Sequence, residues 1–130
     1  MKKICVSLVC LLALLAIGAS PALAVPAFNE AFKKAYLKDG TPLTEKVAEV
    51  KCNVCHKGKE KKEKNEFGVA VGKYLKKGDF AGETKKWDPK SEEGQKVLAE
   101  GLEKALQEKS SSGKTFGELI KANELPGGAE

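Results

Sequence analysis

The stretch that decides this chain is Lys51-Cys52-Asn53-Val54-Cys55-His56-Lys57-Gly58. Its centre sets two thiols three residues apart and an imidazole directly after the second. In a helical turn, residues i and i+3 project from the same side. Both sulfurs can then reach the two vinyl groups of one porphyrin, and His56 is carried to its iron. C-x-x-C-H is the attachment pattern for a c-type haem. On this reading the His56 Nε2 binds the metal. Its Nδ1–H donates to a backbone carbonyl, which fixes the tautomer.

Outward toward the amino terminus, residues 1–24 read as a secretory signal. Lys2 and Lys3 form the basic start, Ile4 to Ala19 the apolar stretch, and Ala22-Leu23-Ala24 a small-x-small cleavage site after Pro21. The apolar core is short of the ~20 residues that a membrane span needs. The mature domain is expected over 25–130, exported to the periplasm or another extracytoplasmic space, with no stable membrane insertion.

Cleavage changes the counts. The full chain has 4 Cys, 1 His and 1 Met. Met1, Cys5 and Cys10 leave with the signal, so every remaining Cys and His lies in residues 52–56. All 23 basic residues are Lys. Without Arg, sites built on the planar guanidinium fork are unavailable to this chain. A single His excludes His-rich metal centres. Removing Lys2 and Lys3 leaves 21 lysines against 18 acids, a net +3. Those lysines alternate with acids, and export removes the opportunity, so nucleic acid is not an expected partner. Of the 106 residues that remain, 36 are apolar. That is thin for a self-sufficient core, and a large apolar cofactor is expected to complete it.

The mature chain carries helical patterns separated by Gly, Pro and Ser, and no convincing period-two strand. The fold class is all-α: a small helical domain wrapped around one covalently attached haem. A first helix over about 27–38 carries Phe28, Ala31, Phe32 and Ala35 on one face. A second opens at Thr41-Pro42 with Leu43, Val47, Val50 and Val54 as its buried stripe. Residues 57–64 read as a solvated charged loop. Asn65 caps a third helix with Phe67, Val71, Tyr74 and Leu75 inward. Gly78 to Lys86 reads as irregular. Asp88-Pro89 starts a fourth helix bearing Val97, Leu98, Leu102, Ala105 and Leu106. Ser110 to Gly113 is a loop. Thr115 and Glu118 form a capping box for a last helix with Phe116, Leu119 and Ile120. Leu125-Pro126-Gly127-Gly128 reads as a loose tail.

Three other readings of Cys52, Cys55 and His56 compete with haem. A Cys52–Cys55 disulfide closes a very short loop and stabilises little. A thioredoxin-like redox pair needs an α/β pattern. A zinc site would crowd three ligands into one turn and lack a fourth Cys or His.

The chain resembles a small secreted monohaem c-type cytochrome. More narrowly, it is similar to a bacterial family of periplasmic monohaem proteins. The matching residues are Cys52-Asn53-Val54-Cys55-His56-Lys57-Gly58, then Asn65-Glu66-Phe67-Gly68, then Thr115-Phe116-Gly117-Glu118-Leu119-Ile120-Lys121 with Leu125-Pro126-Gly127-Gly128. The resemblance implies one covalent haem c on Cys52 and Cys55, proximal ligation by His56, terminal helices beside the haem, and electron transfer rather than enzymatic catalysis. Redox partner proteins with acidic docking faces are expected, steered by a weakly cationic surface.

The sequence departs from ordinary class I cytochromes in having no downstream Met for the second axial position. Four possibilities stand there: an open or water-occupied site, an amine from a lysine or from Val25, an oxygen from Tyr74, Tyr36 or Asn65, or a ligand from a partner. Met ligation raises the potential, so a lower potential is expected here. An open site also gives the alternative function, a haem protein that binds small gases or peroxide.

Overall fold

The computed structural model describes residues 26–128. The stretch expected to be a secretory signal, its expected cleavage site and Val25 lie outside the described residues. The described chain is mostly helical, as its periodicity indicates. In order come α1 (Pro26–Tyr36), α2 (Pro42–Val50), a 3-10 turn (Lys51–Val54), β1 (His56–Lys57), β2 (Glu63–Lys64), α3 (Glu66–Tyr74), α4 (Lys77–Phe80), α5 (Glu92–Gln107) and α6 (Phe116–Lys121). Among the described residues no helix is long and apolar enough to cross a membrane.

The helix starts follow their caps. Thr41 accepts from the Thr44 N–H, with Pro42 in the first turn of α2. Thr115 and Glu118 close the expected capping box at α6. The start of α5 falls later than Asp88-Pro89. Ser91 accepts from the Gly94 N–H at 3.0 Å and donates to the Asp88 carbonyl at 2.7 Å, so Ser91 is the cap and Asp88-Pro89 the turn before it.

Helix α5 is the spine, and α1, α3 and α6 pack on it. Leu98, Leu102 and Ala105 recur at helical spacing and are buried. Burying each leucine stabilises the fold by about 1.5–3 kcal/mol. The α3–α5 crossing is close because Gly101 leaves a notch for Leu75, whose Cδ2 would lie 2.3 Å from a Cβ at that position. An aromatic row runs through the centre. Phe67 meets Phe32 at 5.6 Å and Phe116 at 5.3 Å between ring centroids, and Phe32 meets Tyr36 at 5.7 Å.

Some expected core positions differ. Ala35 is exposed at the end of α1. Tyr74 is 41% exposed, while Leu75 is buried. Helix α3 ends at Tyr74, and Leu75 turns extended, which carries its side chain inward and leaves Tyr74 outside. The stretch 78–86 is less irregular than expected, since the short α4 brings Phe80 into the core. The thin composition still yields one continuous cluster of fifteen buried apolar residues.

Candidate functional site

Residues 52–56 do not continue α2 as the sequence pattern suggests. Lys51, at φ 51° and ψ −113°, ends the helix while its N–H donates to the Val47 carbonyl. A positive φ is costly for a residue with a side chain, and here it redirects the chain into the 3-10 turn. In that turn the Cys55 N–H donates to the Cys52 carbonyl at 3.2 Å. Three residues per turn eclipse i and i+3 more closely than an α-helix does. The cysteines therefore stand on one side of the turn. Val54 is 3% exposed and anchors the turn to the core. Cys52, Cys55 and His56 stay partly exposed at its rim.

The charged segment 57–64 is solvent-exposed along its whole length, as expected. Its ends form a short antiparallel pair, His56 opposite Lys64 and Lys57 opposite Glu63. The pair returns the chain to Asn65, which is 3% exposed. Asn65 does more than cap α3. Its Oδ1 accepts from the Gly68 N–H at 2.9 Å. Its Nδ2 donates to the Asn53 and Val54 carbonyls, each at 2.9 Å. Its backbone N–H donates to the Cys55 carbonyl at 3.1 Å. One residue thus holds three successive carbonyls of the motif.

Two glycines permit this closeness. A Cβ on Gly68 would lie 1.9 Å from the Cys55 carbonyl oxygen, which is backbone and cannot swing aside. Gly68→Ala is expected to destabilise the protein by about 1–3 kcal/mol, as overpacking does. Thermal unfolding checks this, with about 4–8 °C lost per kcal/mol in a domain of this size. A melt unchanged within error would contradict the contact. The second glycine is Gly127, in the stretch expected to be a loose tail. That stretch is packed instead. Pro126 is fully buried, and a Cβ on Gly127 would meet the Asn65 amide at 2.0 Å and the Val54 carbonyl at 2.7 Å.

Both thiols are free. Burial, the neighbouring Cys52 and, in the opposite sense, Lys64 act on the Cys55 thiol, which is pushed up to about 12. Among the described residues no three His, Cys, Asp or Glu side chains gather as a metal-ion cluster. The His56 Nδ1 is buried and has no hydrogen-bond partner among the described residues. The expected carbonyl acceptor is thus not in place. The ring borders a cleft of about 10 Å³ together with Val50, Asn53, Asn65, Gly127 and Gly128.

Two of the three candidate oxygen ligands, Tyr74 and Asn65, are engaged elsewhere. The Tyr74 hydroxyl donates to the Glu108 Oε1 at 2.6 Å, and the Lys73 Nζ donates to the Oε2 at 2.8 Å. That hydrogen bond to Glu108 raises the Tyr74 phenol above its ordinary range. Tyr36 packs on Phe32, and burial followed by the Glu103 charge holds its phenol neutral to higher pH. Asn65 has its amide committed to the motif. Beside the β1–β2 pair lies a groove of about 460 Å³, bordered by Lys57, Lys64, Lys73 and Lys109 and by the carboxylates of Glu66 and Glu108.

No protein-family model matches the chain, and no curated protein or solved structure shows significant similarity to it. The local geometry is therefore what bears on the chemistry. It brings Cys52, Cys55 and His56 into one turn. Sequence reading missed the clamp by Asn65 and the closures by Gly68 and Gly127. The available signal was Asn65-x-x-Gly68, a cap whose glycine sits where no turn requires one.

Proposed function

We propose that this chain is an exported single-haem c-type electron carrier, with haem held covalently by Cys52 and Cys55 and its iron bound by His56. The observation that carries the reading is the 3-10 turn, closed by the Cys55 N–H to Cys52 carbonyl bond, with both thiols free on one side. The donor set fits the group: two free thiols for thioether bonds and, directly after the second, one imidazole that would bind the iron. When bound, haem supplies a one-electron couple at iron. The protein's part is positional. Val54 roots the turn in the core, Asn65 fixes three of its carbonyls, and the β1–β2 pair fixes the residue that follows Cys55. Such fixed geometry limits the rearrangement that accompanies a change of charge. The lysines around the adjacent groove suit docking of an acidic redox partner. That docking should show an association rate that falls as salt rises.

The test is export of the full chain in cells with a haem-maturation system. The expected product loses residues 1–24 and keeps its haem stain and reduced absorption bands after denaturation. A mature protein without covalent haem would overturn the assignment.

A second reading is supported by the engagement of two of the oxygen candidates, Tyr74 and Asn65. With the Tyr74 hydroxyl and the Asn65 amide committed and no Met beyond residue 24, neither of those two groups nor a thioether would serve as a second ligand to a haem iron, and its sixth position would be open unless an amine or Tyr36 took it. The same protein then binds small gases or peroxide. Oxidised protein should give a high-spin signal, and reduced protein a carbon monoxide spectrum. A low-spin signal that ignores carbon monoxide favours an internal amine and the carrier reading alone.

A further inference from the structure

We propose that the cleft between Asn65 and Gly127 is a seat for one water molecule on the His56 Nδ1, and that Asn65 and Gly127 are positioning residues for that imidazole. The inference rests on the haem reading for its effect on iron, but the seat is a property of the polypeptide alone.

The His56 Nδ1 is buried and unpartnered among the described residues. A buried polar group without a partner costs about 1–3 kcal/mol. Folded proteins remove that cost with a protein group or an ordered water. The cleft beside the ring has about 10 Å³. That is about the smallest volume in which one water fits. Its other walls are Val50, Asn53, Asn65, Gly127 and Gly128. All five carry backbone polar groups and Asn53 and Asn65 add side-chain amides, and a buried water needs two to four polar partners. Nδ1–H donates to the water, and the water donates onward to the backbone.

The walls are built rather than incidental. Asn65 is held by three side-chain hydrogen bonds. Pro126 is fully buried, so the segment carrying Gly127 is anchored. Glycine at 127 is what lets that segment close against the Asn65 amide and the Val54 carbonyl. A partner on Nδ1 fixes the tautomer in which Nε2 is free for a metal, and it raises the basicity of that nitrogen. The carboxy-terminal segment therefore tunes the proximal ligand without touching the haem.

The experiment uses Gly127→Ala in the full chain, with and without haem. In ¹⁵N-labelled protein without haem, the wild-type His56 is expected as one fixed Nδ1–H tautomer with a slowly exchanging proton that shows transfer to water. Gly127→Ala should broaden that signal and speed its exchange. In the haem-loaded protein it should raise the midpoint potential, because a less basic imidazole stabilises ferric iron less. A variant that melts lower but moves neither the His56 signal nor the potential would overturn the proposal. If Gly127→Ala does not fold, the wild-type signal alone decides: absence of any transfer between water and the Nδ1 proton sinks the seat. A chain that shows the His56 signature yet takes no haem would refute the haem reading and leave the seat standing.

Discussion

Under the proposed haem attachment, replacing Cys52 and Cys55 together by serine is expected to abolish covalent haem completely while leaving the helices in place. Serine cannot form the thioether bonds, so no haem stain should survive denaturation. Composition alone suggests that such a variant would unfold. The structure argues otherwise. Both cysteines are only partly buried: Cys52 lies outside the fifteen-residue core, Cys55 packs against its edge, and Val54 enters it from the same turn. A substitution away from core and caps, as at Cys52, changes stability by about 0.5 kcal/mol or less, and the near-isosteric change at Cys55 leaves the fifteen core side chains themselves untouched. Circular dichroism and a haem stain on the same preparation separate the two outcomes. Loss of helicity together with loss of haem would show that the polypeptide does not hold its core alone.

The largest effect on stability is expected from Phe67→Ala. Phe67 is fully buried and is the one ring in contact with both Phe32 and Phe116. Truncating a buried phenylalanine costs about 3–5 kcal/mol, from lost transfer energy and the cavity left behind. Each aromatic contact adds about 0.5–1.5 kcal/mol beyond area. Domains of this size hold about 5–15 kcal/mol in total. The variant should therefore be partly unfolded at room temperature or melt far below the parent. Val69→Ala on the same helix is the control, because Val69 is 52% exposed and should change stability little. Equal shifts in the urea midpoint for the two variants would contradict the central place given to Phe67.

The parts of the fold that were legible in the sequence are those fixed by local chemistry. Thr115 and Glu118 cap α6 because their side chains reach their own backbone, and that reach is a matter of spacing. Leu98, Leu102 and Ala105 reveal the inner face of α5 by period alone. The haem reading of residues 52–56 likewise rests on spacing. What was not legible depends on contacts between distant segments. Tyr74 has the right period for the core, yet the chain leaves the helix one residue later and Leu75 takes the Gly101 notch. Pro126 and Gly127 look like a frayed end until α6 folds them back over Val54 and Asn65. Asn65 reads as a cap because Gly68 is three residues away; its other bonds go to residues 53 and 54, which no local rule connects to it.

The clamp also divides the two variable positions of C-x-x-C-H unequally. Asn65 takes hold of residue 53 through its carbonyl, which every amino acid carries. Residue 54 offers the same carbonyl, but its side chain is sealed in the core. The first position is thus open to broad replacement, whereas the second admits only a small apolar side chain. A saturation library at 53 and 54, sorted for retained haem, should come out permissive at one position and narrow at its neighbour.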